Sequence, residues 1–190
     1  MSDGHLRVLG ISGSLRTASF NRMLLKAAVE LAPEGMEISI FEGLGEIPLY
    51  NADVEAQGDP APVARFKEAI GGSDGLLIAT PEYNYSMPGV LKNAIDWASR
   101  PASAALLKKP AALMGASPGG GGTIRAQLAL RQSFVFTETA ALLRPEVIVP
   151  GAKEKFDAEG RLTDQKTRDQ VAKQLKAFAG WILRFREQGG

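Results

Sequence analysis

The chain has 190 residues, of which 45% are hydrophobic, 23% charged and 7% aromatic, and its 22 Lys and Arg against 21 Asp and Glu leave a formal net charge of +1. It contains no cysteine and one histidine, His5, which excludes disulfides, thiolate metal sites, thiol nucleophiles and multi-histidine metal centres. Near-neutrality argues against a nucleic-acid partner, because that affinity comes largely from neutralising phosphates.

Roughly 100–200 residues per domain makes a single domain over 1–190 the expectation. The opening MSDGHLRVLGISGS has no charged segment followed by a long apolar run. Apolar stretches such as 75–80 are too short for the roughly 30 Å of a bilayer core. A cytoplasmic protein with no membrane partner is therefore expected, whose chemistry comes mostly from a bound group.

Short apolar runs alternate with longer amphipathic stretches. Residues 6–10 read as a first strand and 21–31 as a helix; strand 37–41 is followed by helix 63–70. Strand 75–79 precedes helix 89–98, and strand 111–115 precedes helix 124–142. A last strand at 146–149 leads through 156–164, a surface excursion turning at Gly160, to a long helix at 164–187. That helix spaces Val171, Leu175, Phe178, Ile182 and Phe185 three or four apart, as one apolar stripe. The strands are nearly continuous in apolar residues, as strands covered on both faces are. Repeated strand–helix alternation implies an α/β fold with a parallel sheet and right-handed crossovers. Ligands of such sheets sit beyond the carboxyl ends of the strands, so the loops after strands one, three and four are the ones that matter.

Residues 10–21 (GISGSLRTASFN) supply four hydroxyl side chains (Ser12, Ser14, Thr17 and Ser19), the amide of Asn21 and the guanidinium of Arg16. Free backbone N–H groups and a helix N-terminus favour an anion. Hydroxyls with one guanidinium suit a compact phosphate dianion. Ser19 alone reads equally well as a helix N-cap, but Arg16 has no capping role. The GxGxxG and Walker A patterns are both absent, which disfavours a dinucleotide fingerprint and nucleotide hydrolysis.

Residues 80–89 (TPEYNYSMPG) set two tyrosines and a methionine between prolines. Such a stiff segment can offer backbone polar groups and apolar faces to a flat heteroaromatic ring; packing of the tyrosines on the core is the plainer alternative. Lys92 and Asp96 stand at the spacing of a surface ion pair worth about 0.3–0.5 kcal/mol. Residues 117–123 (SPGGGGT) carry four consecutive glycines, which permit close approach to the backbone and movement. No side chain is assigned as catalytic and none as a metal ligand.

At these residues the chain resembles the NADPH-dependent FMN reductase family of flavodoxin-like proteins, and within it the bacterial quinone and chromate reductases. The likeness rests on 13–21 (GSLRTASFN) and on 81–97 (PEYNYSMPGVLKNAIDW), with Ser99 and Arg100 beyond, and runs over about 6–185. It implies a flavodoxin-like three-layer sandwich with a five-stranded parallel sheet of order 2-1-3-4-5. By the same resemblance Ser14, Arg16, Ser19, Phe20 and Asn21 hold the FMN phosphate. Pro81, Glu82, Tyr83, Asn84 and Tyr85 border the isoalloxazine, and Ser117 and Gly119 close the far side. The implied activity is ping-pong hydride transfer from NADPH or NADH through FMN to quinones, free flavin, ferric chelates or chromate. The cofactor carries the hard chemistry and the protein supplies orientation and electrostatics. A homodimer or homotetramer is implied, with Trp97, Ser99, Arg100, Leu106 and Leu107 near the pocket as interface candidates; Trp97 reads equally as core. The competing readings are a flavodoxin-like electron carrier with no NAD(P)H oxidation of its own, against which the net charge argues, and a flavin-free module keeping only the fold.

Overall fold

The computed structural model describes residues 5–100 and 105–188; the parts of the expected 1–190 domain at 1–4, 101–104 and 189–190 lie outside the described residues. The described chain runs β1 (Leu6–Ser12), α1 (Phe20–Glu30), β2 (Met36–Ile40), α2 (Ala52–Glu55), α3 (Ala61–Gly71), β3 (Gly75–Ala79), α4 (Gly89–Ala98), β4 (Pro110–Ala116), α5 (Ile124–Thr137), β5 (Ala140–Ala141), β6 (Val147–Val149) and α6 (Gln165–Gln188). All strands pair in parallel in the order β2-β1-β3-β4-β5, with β6 also beside β4. The parallel sandwich read from the sequence is thus present, with the expected strand order.

Two elements differ from expectation. The fifth lane of the sheet is two short strands rather than one: β5 pairs with the start of β4 (Pro110↔Ala140), and β6 with its end (Met114↔Val147 to Ala116↔Val149). In the gap between them, Gln174 of α6 donates its amide hydrogens to Leu113 O and Pro145 O, both at 2.9 Å. A carbonyl of β4 that lacks a strand partner is satisfied in this way by a buried side chain. The second difference is the end of α5, at Thr137 rather than at 142. Glu138 turns left-handed (φ 52°), and Thr139 Oγ1 meets Thr137 Oγ1 at 2.7 Å and Leu106 O at 3.1 Å. The hydroxyl pair anchors the turn that sends the chain into β5.

Successive strand residues point to opposite faces. Leu77 and Ala79 therefore join the layer of α1 and α6, while Leu76 and Ile78 join the layer of α3 and α4. Along α6, Val171, Leu175, Phe178 and Ile182 are fully buried, each worth about 1.5–3 kcal/mol of burial. Phe185, at the end of that stripe, is partly exposed. The 156–164 excursion does turn at Gly160 (φ 80°), but it is pinned rather than loose. Phe156 and Leu162 pair across a bridge and both enter the core. The Phe156 ring also lies 5.6 Å from that of Phe20 at the start of α1, which supports the first site loop from outside. Among the described residues no helix is long and apolar enough to cross a membrane.

Candidate functional site

The carboxyl ends of β1, β3 and β4 meet at one edge of the sheet. There Ser14, Arg16, Ser19, Phe20, Asn21, Pro81, Glu82, Tyr83, Ala116, Ser117 and Pro118 line a narrow cleft of about 80 Å³. Nine of the twelve residues expected at the site are in this lining; Asn84, Tyr85 and Gly119 are not. A wider hollow of about 360 Å³ adjoins it, lined by Gly13, Leu15, Arg16, Tyr83, Pro88, Gly89 and Val90. Arg16 and Tyr83 belong to both. Larger hollows lie elsewhere on the surface, away from these loops.

The first loop leaves β1 with Gly13 N–H donating to Ala79 O at 2.9 Å. A Cβ on Gly13 would stand 3.0 Å from Leu91 and 3.2 Å from Pro81, so a glycine lets this loop lie against the next. Ser14 Oγ accepts Arg16 N–H at 3.4 Å, and Ser19 caps α1 by accepting Arg22 N–H at 3.3 Å. Both are long bonds that leave the hydroxyl hydrogens available. No acidic residue occupies the first turn of α1, so the positive end of its dipole faces the cleft uncompensated. The Arg16 guanidinium donates to Ala18 O at 3.1 Å and is otherwise exposed at the cleft mouth. Asn21 serves differently: its amide donates to Ala116 O (3.0 Å) and accepts Ala116 N–H (2.9 Å). With both ends engaged, this buried side chain ties α1 to the end of β4 and positions the cleft.

The second loop is a tight reversal. Tyr83 and Ser86 exchange both backbone hydrogen bonds at 3.0 Å, while Asn84 (φ 50°) and Tyr85 (φ 64°) take left-handed conformations. Two positive φ values in succession make a type I′ turn, a geometry that favours Asn-Gly and costs a tyrosine on the order of 1 kcal/mol. Arg125 of α5 offsets that cost by lying 4.0 Å over the Tyr85 ring. The same guanidinium donates to Glu82 Oε1 at 2.8 Å, and Glu82 Oε2 accepts the N–H of Arg125 at 2.9 Å and of Ala126 at 3.3 Å. Glu82 thus caps α5 from a different loop, fixing the backbone from Pro81 to Tyr83 against the third loop.

Burial pushes the Glu82 carboxyl's pKa up, but Arg125 and the two backbone N–H groups outweigh it and hold the group below the usual carboxylate range. A carboxylate lowered on folding contributes stability above its unfolded pKa and loses it as pH falls through the folded value. Glu82→Gln is therefore expected to lose about 1–2 kcal/mol at neutral pH, as for loss of a charged cap. The wild-type and variant urea midpoints should converge once pH falls below the carboxylate range. An equal gap at both pH values would show that the charge on Glu82 is not what matters.

The third loop needs glycine at fewer places than its run of four implies. Gly122 (φ 57°) is required, since a Cβ would lie 2.4 Å from Ile148, while Gly120 has nothing within 4 Å. Gly119 N–H donates to Ser117 Oγ at 3.2 Å, which holds both at the rim. The tightest glycine precedes the run: a Cβ on Gly115 would meet Thr123 Oγ1 at 1.9 Å and Thr80 O at 2.5 Å.

Trp97 is core, fully buried and donating to Pro48 O at 2.9 Å, so it is no interface anchor; Leu106 is buried too, and Leu107 is exposed. Arg100 lies 5.0 Å over the Tyr50 ring. Lys92 and Asp96 form the expected exposed ion pair at 2.6 Å. Arg125 is the residue that sequence reasoning missed; it sits inside an ordinary helical pattern, and its partners lie on another loop. Among the described residues no cluster of His, Asp or Glu could hold a metal ion.

Residues 6–154 match the family model described as NADPH-dependent FMN reductase. The chain is 54% identical to a NAD(P)H-dependent FMN reductase of Pseudomonas aeruginosa over 186 residues, 98% of this chain and 100% of that one. It is 42% identical to a quinone reductase of Escherichia coli K12 over 181 residues, 94% and 96% of the two chains. Among solved structures, FerB of Paracoccus denitrificans, a flavoenzyme NAD(P)H:(acceptor) oxidoreductase, superposes with a TM-score of 0.86 at 38% identity, covering 95% of this chain and 98% of that one.

Proposed function

The chain belongs to the NADPH-dependent FMN reductase family, and from that premise we propose that it is an NAD(P)H-dependent oxidoreductase that holds FMN at the ends of β1, β3 and β4 and reduces quinones and other small acceptors. The observation that carries this reading is the pair of joined hollows sharing Arg16 and Tyr83. The narrow one gathers hydroxyls, a guanidinium and a helix N-terminus, the donor set of a phosphate dianion. The wide one is lined by Leu15, Tyr83, Pro88 and Val90, the apolar walls a planar ring requires.

When bound, FMN supplies the hydride chemistry, accepting from NAD(P)H and delivering to the acceptor. The chain's own residues bind and orient. Ser14, Ser19, Arg16 and the start of α1 hold the phosphate, and Phe20 closes the cleft against Phe156. The Pro81–Tyr83 backbone, fixed by Glu82 and Arg125, borders the ring, while Asn84, Tyr85, Ser117 and Gly119 form the rim. No side chain moves a proton, which agrees with a site empty of histidine and cysteine.

The acceptors we assign are quinones first, then free flavin, ferric chelates and chromate, because the mostly apolar walls of the wide hollow offer few polar groups to discriminate among them. The chain acts as one cytoplasmic domain, assembled as a homodimer or homotetramer. Support for assembly comes from apolar side chains on the outside: Leu15 and Tyr85 beside the site, and Leu128, Val135 and Phe136 on α5, the last two about 80% exposed. Light scattering at micromolar concentration should return the mass of a dimer or larger; a monomer mass would contradict the assembly. The visible spectrum of the purified protein tests the cofactor, with the released chromophore identified by mass. Flavin absorbance with FMN recovered is the expected result, and a colourless protein that takes up no added FMN would refute the reading.

A further inference from the structure

The opposite end of the sheet carries a second hollow that flavin chemistry does not use. It measures about 530 Å³ and lies where β3 and β4 begin, under the end of α6. The five residues of β3 separate it from the flavin cleft, a distance of about 17 Å at 3.3 Å per residue. One wall is apolar, formed by Leu107, Pro110, Ile182 and Phe185; the other is polar, formed by Ser73, Asp74, Lys108, Lys109 and Arg186.

The charges in this hollow are unevenly matched. Asp74 is engaged through one oxygen: its Oδ2 accepts Arg7 N–H and pairs with Arg186, each at 2.7 Å. Arg186 also donates to His5 O at 3.1 Å. That leaves Lys109 and Lys108. The Lys109 ammonium donates to Ser73 O at 2.7 Å, and among the described residues no carboxylate comes within ion-pair distance of it. Its burial pushes the pKa down, helped by the Arg7 charge and opposed by Asp74 nearby, a carboxylate already paired with Arg186. An ammonium has three donors, so two remain for a ligand. Phe185 and Leu107 present apolar surface in the same hollow, which makes a purely inorganic anion a poor match for it.

We propose that this hollow is a second ligand site, distinct from the flavin cleft, for a small organic acid that joins one carboxylate to an apolar body. The carboxylate pairs with Lys109, with Lys108 adding charge at the rim, and the apolar body covers Phe185 and the near side of Leu107. Leu107, half exposed, borders the entrance.

Calorimetric titration of the FMN-loaded protein with hydrocinnamate tests this, with hydrocinnamyl alcohol and inorganic phosphate as probes lacking one half of the ligand. One site per chain is expected for hydrocinnamate at millimolar concentration or below, with no measurable binding of the alcohol or of phosphate. Lys109→Met keeps the apolar stem and removes the charge, and should weaken hydrocinnamate binding by about tenfold or more, the scale of one lost charge-assisted contact. Leu107→Glu, at an exposed position, should weaken it by placing a like charge at the entrance. Both variants should oxidise NADPH at the wild-type rate. Absence of hydrocinnamate binding, equal affinity in the wild type and both variants, or equal binding of phosphate would each overturn the proposal.

Discussion

Arg16→Ala is expected to weaken FMN binding by about 2 kcal/mol, roughly thirtyfold, the range for a hydrogen bond to a charged group. The magnitude follows from how little else Arg16 does. Among the described residues its guanidinium makes one hydrogen bond, to Ala18 O, so most of its five N–H donors are free for a ligand. It stands on the shared wall of both hollows, where a phosphate would end and a ring begin. The loss is partial because Ser14, Ser19 and the N-terminus of α1 remain. Arg16→Lys should recover only part of the affinity, since a point charge lacks the planar fork. Stability should hardly change, because the side chain is exposed. Quenching of FMN fluorescence on titration reads the affinity directly, and an unchanged value in Arg16→Ala would remove this residue from the site.

Gly115→Ala should cost about 3 kcal/mol of stability, at the upper end of ordinary overpacking. A methyl there would meet the Thr80 carbonyl at 2.5 Å and the fully buried Thr123 hydroxyl at 1.9 Å. Relief requires β4 to part from the second and third loops together, so FMN binding should fall along with the urea midpoint. Gly120→Ala provides the contrast: its Cβ would meet nothing within 4 Å, and the midpoint should stay within about 0.5 kcal/mol of wild type. Similar midpoints for the two variants would contradict the close packing of the loops.

That contrast also shows what sequence reading reaches. A run of four glycines attracts attention, yet the position most closed to a side chain is an isolated glycine inside an apolar strand, where only the spatial neighbours reveal the constraint. The sheet was legible because strands covered on both faces are continuous in apolar residues. β5 was not, because Ala140 and Ala141 have no β-branched or aromatic side chain and read as a continuation of α5. Glu138 carries none of the glycine or asparagine chemistry that usually marks a left-handed helix end. At the site, hydroxyls and prolines gathered near strand ends identified the loops that form the cleft. How those loops are joined depends on Asn21 meeting Ala116 across 95 residues and Glu82 meeting Arg125 across 43, pairings invisible in a local pattern. Leu106 and Trp97 illustrate the converse: chemistry suited to an interface, taken up by the core.

Anaerobic rapid mixing of the FMN-loaded protein with NADPH decides whether the chain itself oxidises the nicotinamide. The absorbance of the bound flavin should bleach, and a quinone added afterwards should restore it. Flavin that stays bound and oxidised in excess NADPH and NADH would contradict this reading and leave a carrier that receives its electrons from another protein.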